Sequence, residues 1–325
     1  MKYRQLGSRG PEVSTIGFGS WAIGGTNWGP TDDNESKAAL HAALDEGVTL
    51  IDTSDNYGYG HSEELIAEVM AERGGKGDVQ IATKAGTDFY FAKTSDDVGY
   101  GPMRQNVDRD YIVFAVEKSL RRLRVDCLDV LQLHSPDTDK LKRDDPWEAL
   151  ERLKRDGKIR LAGVSIQSFR DTEQSFVLDD RAGLVDVLQV RYNLLERGAE
   201  DVLLPKALAK GTGVLVRIPI LFGLLAGKFN RRSTFGDDDH RRMNLSPEKL
   251  DGYLSRLERL RPLFDRYPEQ TMAQVALRFC ITHPACTLAI PGAKNPAQAS
   301  ANAKASDLGP LTADDLELIE KLDPR

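Results

Sequence analysis

Cysteine is scarce. The 325 residues hold three, Cys127, Cys280 and Cys286, and they form no CxxC pair or ladder of spacings. A disulfide framework and a structural zinc site are therefore not expected, and a reducing compartment fits. The five histidines make no HxH or HExxH pattern, which argues against a metal-dependent hydrolase. No apolar run reaches the roughly 18 residues a membrane span needs. Met1-Lys2-Tyr3-Arg4-Gln5 opens no apolar signal region, so a cytoplasmic location is expected. Basic charge is in deficit, with 44 Lys and Arg against 50 Asp and Glu and a formal net charge of -6. No global field favours nucleic acid, although local basic pockets stay open. Gly17-Phe18-Gly19 and Gly58-Tyr59-Gly60 do not complete a dinucleotide fingerprint between a strand and a helix, and no P-loop is present.

What is present is an ordinary globular composition, 40% hydrophobic and 29% charged, which rules out intrinsic disorder. The length allows one large domain or two average ones. Tyr3 to Leu6 and Val13 to Ile16 flank a Gly-rich turn and predict a hairpin. Short apolar runs follow at Ile16 to Gly19, Leu50 to Ile51, Val79 to Thr83, Leu128 to Leu133, Leu161 to Val164, Val185 to Val190, Val214 to Arg217 and Leu288 to Ile290. Helical patterns alternate with them: Asp33 to Glu46, Ser62 to Glu72, Arg109 to Leu123, Trp147 to Arg155, Asp171 to Leu178, Val202 to Lys210 and Met272 to His283, with Pro296 to Ala305 last. Asp33 and Ser62 are expected N-caps, and Gly47 and Gly157 expected stops. Eight strand-helix units argue for a parallel sheet, either open and doubly wound or closed; this length suits a (β/α)8 barrel, one domain over 1–325. Gly86 to Asn106 and Phe222 to Leu245 are too long for simple connections and are expected to be functional loops.

Polar residues stand where strands run out: Asp52, Lys84, His134, Ser165, Gln189 and Arg217. In a barrel these positions converge on one mouth, where such folds keep their chemistry. Taken singly, Asp52 reads as an Asx-turn, Lys84 as a solvated loop residue, His134 as a structural histidine and Tyr57 as packing under a loop. Together, a carboxylate, an ammonium, a phenol and an imidazole make a proton-transfer set. A free phenol has a pKa of about 10, and a nearby ammonium is expected to lower it. A carboxylate keeps the ammonium charged, and a neutral imidazole can orient a carbonyl by donating a hydrogen bond.

Asp52-Thr53-Ser54-Asp55-Asn56-Tyr57-Gly58, with Gly60, Ser62, Glu63 and Glu64 following, resembles a signature of the aldo-keto reductases. So do Leu128 to Pro136, Gly157 to Arg160, Gly163-Val164-Ser165, Gln189 to Asn193, Gly223 to Lys228 and Ile290 to Lys294, in order along nearly the whole chain. The likeness is to bacterial-type members. It implies a (β/α)8 barrel that binds extended NADP(H) and reduces a small carbonyl compound, an aldehyde or ketone, to an alcohol. It implies Tyr57 as general acid, Lys84 tuning it, Asp52 paired with Lys84, and His134 placing the carbonyl. The residues expected at the cofactor are Trp21, Ser165, Gln189, Arg217, Pro219, Gly223, Leu224, Lys228, Arg231, Gly292, Lys294, Gln298 and Asn302.

Three positions depart from the usual pattern. Ile166 replaces an Asn after Ser165, Arg217 replaces an aromatic ring expected against the nicotinamide, and Gln298 stands where many relatives carry Arg. A guanidinium repels oxidised nicotinamide, so Arg217 is expected to favour NADPH over NADP+; it could instead simply close the pocket. Lys228, Lys294, Arg231 and Arg232 suit a 2′-phosphate. Arg231, Arg232, Arg241 and Arg242 equally suit a solvated loop balanced by Asp237, Asp238 and Asp239. Trp21, Trp28 and Phe89-Tyr90-Phe91 are expected near the mouth, where they suit a flat or apolar substrate or pack the loops. Two other functions fit parts of the sequence: a Schiff-base lyase using Lys84, and a cofactor-binding, redox-sensing accessory protein.

Overall fold

Alternation of inward and outward side chains organises the barrel. The computed structural model describes residues 1–25, 27–29, 31–91, 104–167 and 173–325. Strands β1 (Tyr3–Gln5) and β2 (Glu12–Ser14) form the expected antiparallel hairpin, with Arg4 opposite Val13. Then follow β3 (Phe18–Gly19), β4 (Leu50–Asp52), β5 (Gln80–Ala85), β6 (Leu128–His134), β7 (Ile159–Ser165), β8 (Val185–Arg191), β9 (Gly213–Arg217) and β10 (Leu288–Ala289). These eight pair in parallel in chain order. The edges meet through parallel bridges Ile16–Ala289 and Gly19–Gly292, and the Gly17 N–H donates to the Ala289 carbonyl at 2.8 Å. The sheet thus closes into the (β/α)8 barrel.

The closed interior has two levels. Leu50, Ala82, Val130, Leu161, Val187, Leu215, Leu288 and Ile290 form one buried cluster with Leu6 and Val13 of the hairpin region. The hairpin therefore plugs the end where the strands start. The turn after β1 is pressed against the start of β9: a Cβ on Gly7 would lie 2.6 Å from the Gly213 nitrogen. Two residues further along each strand, side chains return to the interior. There stand Asp52, Lys84, Gln132, Gln189 and Arg217, so the same faces that build an apolar floor carry a polar mouth.

Helices cover the outside at Asp33–Asp45, His61–Glu72, Arg109–Leu123, Asp145–Arg155, Val177–Asp180, Leu203–Lys210, Met272–Thr282 and Pro296–Leu308. Helix boundaries differ from expectation in instructive ways. Asp32, not Asp33, caps the first helix, accepting from the Glu35 N–H at 2.9 Å. Gly60, not Ser62, precedes the second. Ser62 is inside that helix, and its buried hydroxyl meets Ser20 Oγ at 2.8 Å and Thr53 Oγ1 at 3.0 Å. Gly47 and Gly157 take φ of 91° and 70° just past helix ends, as the stops require. Of the segment Asp171 to Leu178, residues 171–172 lie outside the described residues; a 3-10 turn Glu173–Phe176 runs into helix Val177–Asp180. Helices Thr138–Lys142, Arg241–Asn244, Pro247–Arg259, Arg261–Asp265 and Ala313–Leu322 were not expected. Of Gly86 to Asn106, residues 92–103 lie outside the described residues. Among the described residues, no helix is long and apolar enough to cross a membrane.

Candidate active site

Asp52 ends β4, and Lys84 is the fifth residue of neighbouring β5, both pointing into the barrel. The wholly buried Lys84 Nζ donates to Asp52 Oδ2 at 2.7 Å, to the Thr53 carbonyl at 2.7 Å and to the Tyr57 hydroxyl at 3.3 Å. Asp52 Oδ1 accepts from Gln189 Nε2 at 2.7 Å and Gln132 Nε2 at 3.4 Å. Tyr57 starts a 3-10 turn, and the chain leaves it through Gly58 at φ 61°. A Cβ there would come within 2.0 Å of the Gly24 carbonyl oxygen, so only glycine lets the turn hold Tyr57 over Lys84. His134 ends β6, its ring 6.0 Å from that of Tyr57 and nearly perpendicular to it. Its Nδ1 lies 3.0 Å from Ser54 Oγ. The expected tetrad is brought together.

Lys84 acts on Tyr57 in the expected direction, but burial outweighs it. Burial raises the Tyr57 phenol above its ordinary value; Lys84 pulls it back down, but not enough to reverse the direction. Burial alone would strip the Lys84 proton, yet Asp52 and Tyr57 outweigh it, so the ammonium ends up raised and charged. Burial, then Lys84 and Arg217, hold His134 well below its ordinary value and therefore neutral.

A cavity of about 480 Å³ opens above this set, and Asp52, Tyr57 and His134 line it. At the barrel end, its wall includes Ser165, Gln189 and Arg217. Ser165 Oγ lies 3.2 Å from Ser135 Oγ and donates to Gln189 Oε1 at 3.4 Å. The Ile166 side chain is buried, and its carbonyl accepts from Arg217 Nη2 at 3.1 Å. Arg217 is thus tied to main chain. Burial and the nearby Arg191 push it down to about 10. Trp21 stacks on Tyr57 at 6.1 Å and on His240 at 4.4 Å.

At the other end the wall is cationic. Lys228, Lys294, Gln298 and Asn302 line it, and Gly292, Pro219 and Gly223 also line the cavity. Asn295 caps helix Pro296–Leu308, and Gln298 and Asn302 follow one turn apart on it. Lys294 Nζ donates to the Trp28 carbonyl at 2.6 Å. Burial, then Arg241, lowers its ammonium. A bound anion would relieve both penalties. Lys228 makes no ion pair among the described residues.

Two of the residues expected at the cofactor do not line the cavity. Leu224 is buried in the apolar core and does not reach the cavity. Arg231 is committed to Glu258 and to Asp251 at 2.7 Å, away from the cavity wall. The loop pairs expected nearby do form, between Arg241 and Asp239 and between Arg242 and Asp237 (2.5 Å). Of the three aromatics, Phe89 packs on Tyr59, which lines the cavity, whereas Tyr90 and Phe91 turn to Phe114 of helix Arg109–Leu123. Ser54, Gln132, Ser135 and His240 were missed. Gln132 was findable, because it sits two residues before His134 on the same strand face.

The fold and this site agree with the comparisons. The aldo/keto reductase family model matches residues 15–324, and the chain belongs to that family. Aldo-keto reductase YhdN of Bacillus subtilis (strain 168) is 36% identical over 93% of this chain and 87% of that protein. A probable voltage-gated potassium channel subunit beta of Arabidopsis thaliana is 30% identical over 100% of this chain and 98% of its own length. The solved glycerol dehydrogenase AKR11B4 from Gluconobacter oxydans is 33% identical, with a TM-score of 0.82 over 99% of this chain and 96% of that one. The family is in general one of oxidoreductases that use nicotinamide cofactors and act on small carbonyl substrates.

Proposed function

We propose that this chain, working as one barrel domain in the cytoplasm, is an NADP(H)-dependent reductase of small aldehydes or ketones. The observation that carries this reading is Lys84, buried between Asp52 and Tyr57 at 2.7 and 3.3 Å. The donor chemistry of the cavity suits the cofactor: hydroxyl and amide groups of Ser165 and Gln189 at the barrel end, lysines 228 and 294 at the other. There, Ser165 with Gln189 would hold the carboxamide and Lys228 with Lys294 the phosphates. When bound, the reduced nicotinamide supplies a hydride to the carbonyl carbon. Tyr57 donates its proton to the carbonyl oxygen. Lys84 stabilises the phenolate left behind, and Asp52 keeps Lys84 charged. His134 places the substrate beside Tyr57. The positive charges of Lys228 and Lys294 favour the 2′-phosphorylated dinucleotide.

Oxidation of NADPH and of NADH against a panel of aldehydes, ketones, sugars and dicarbonyls tests this. Tyr57→Phe is expected to lose nearly all turnover while binding NADPH as before; retained turnover would remove Tyr57 from the acid role. Because Tyr57 is held protonated, the wild-type rate should stay level to about pH 10 and fall only beyond it. Tight NADPH binding without turnover on any carbonyl would favour an accessory role, which the relation to a channel subunit keeps in view. A Schiff-base lyase is opposed by the charge on Lys84, since an ammonium is no nucleophile.

A further inference from the structure

Arg191 ends β8 and Arg217 ends β9, and the two are register partners on neighbouring strands. Guanidinium groups so placed repel each other unless a counter-ion intervenes. Glu196 is that counter-ion for one of them. Its buried carboxylate accepts from Arg191 through both Nε, at 2.6 Å, and Nη2. The Tyr253 hydroxyl donates to the same carboxylate at 2.7 Å, and Asn193 Nδ2 at 2.8 Å. Main-chain hydrogen bonds in both directions between Asn193 and Glu196 fix the turn that carries it. Arg217 has main-chain partners instead, the carbonyls of Ile166 at 3.1 Å and Gln167 at 3.3 Å, and among the described residues no carboxylate pairs with it. Elsewhere at the mouth, Lys84 and Asp52 cancel, His134 is neutral and Tyr57 keeps its proton. The cluster of Arg191, Glu196 and Arg217 therefore carries a single positive charge, and Glu196 is what keeps it single. Arg217 lines the cavity; Arg191 and Glu196 do not.

We propose that Glu196 is a positioning residue that holds Arg191 beside Arg217 with its charge cancelled, and so sets how strongly the site prefers reduced over oxidised nicotinamide. The proposal rests on the cofactor reading above. An oxidised nicotinamide ring is positively charged and a reduced ring is neutral, so the field of this cluster acts on one form and leaves the other nearly untouched. With Glu196 in place the ring meets the field of one cation; without it, of two. Glu196 also has a plainer duty. Asn193 Nδ2, which it accepts from, donates to the Ile218 carbonyl at 3.2 Å, and Ile218 lines the cavity. Steadying that loop serves both redox forms alike, so the two roles separate in a ratio of affinities.

Titration of NADPH and of NADP+ into the full chain, followed by the fluorescence of Trp21 and Trp28 in the cavity wall, gives the ratio of the two dissociation constants. Glu196→Gln removes the charge and keeps the shape. It should raise the preference for NADPH about tenfold, the effect of one unit charge at roughly 10 Å and an effective dielectric of about 20. Arg191→Met combined with Glu196→Gln removes both charges and should bring the ratio back to the wild-type value. Arg191→Met alone leaves the carboxylate unopposed and should lower the preference by a similar factor, which decides the matter if Glu196→Gln fails to fold. A merely structural role would weaken both dinucleotides alike. An unchanged ratio in the single variants, or a double variant shifted as far as Glu196→Gln, overturns the proposal. If the wild type binds neither dinucleotide, the cofactor reading fails and this proposal with it; binding of both with no shift of the ratio rejects this proposal alone.

Discussion

At Asp52, one buried carboxylate accepts from Lys84, Gln189 and Gln132. Removing only the cation would leave the charge uncompensated, which costs about 3–5 kcal/mol in a protein interior. Lys84→Met should therefore destabilise by about that amount in chemical denaturation, whereas Lys84→Met with Asp52→Leu should recover most of the loss. Equal stability of the single and double variants would show that the two glutamines already satisfy the carboxylate. Arg217 is the other charge at this scale. It sits close enough to Tyr57 and His134 to lower the proton affinity of both. A positive charge there disfavours oxidised nicotinamide, so titrating both redox forms should show the NADPH to NADP+ affinity ratio falling in Arg217→Tyr. An unchanged ratio would confine Arg217 to tethering the Ile166 carbonyl.

Among the elements, the N-terminal hairpin does the least conspicuous work. Leu6 and Val13 close the apolar floor from below, and both are fully buried. Leu6→Ala should cost about 2–5 kcal/mol by urea denaturation, the usual range for emptying such a site. Tyr57 and Lys84 stand one level further along the barrel, so turnover at saturating substrate should be unchanged; a large fall in kcat would mean that floor and mouth are mechanically coupled. The elements also show what was legible. The polar strand ends made the mouth legible ahead of the structure, whereas the floor was hidden because strands such as Leu128–His134 and Val185–Arg191 are buried on both faces. Helix caps were misplaced by one or two residues, because Asp32 and Asp33 are chemically alike and Gly60 caps without a side chain. Helix Arg241–Asn244 hid inside the charged stretch Phe222 to Leu245 that was read as loop, and the helices Pro247–Arg259 and Arg261–Asp265 beyond it were passed over. Leu224 was placed by its motif and Arg231 by its charge close to Lys228, but which way a loop residue turns depends on tertiary partners such as Glu258, 27 residues away.

For the molecule as a whole, buried histidines contribute to acid sensitivity alongside ion-paired carboxylates such as Asp315 and Asp323. Burial pushes His240 down to about 3, and His134 moves the same way. An unfolded chain would bind those protons near pH 6.5, so the unfolded state gains protons first as pH falls. The stabilisation from keeping these rings neutral is complete above pH 6.5 and is lost progressively towards pH 3. Melting temperature should decline over that window, and less steeply in His240→Phe; parallel declines would exclude His240 as a source.

The hairpin plug also decides traffic. A barrel stoppered at one end is a blind alley, and its residents come and go by a single door. Eight barrel side chains and the two from the hairpin region share that stopper, so the approach to Ser165 and Gln189 is the cavity at the opposite end.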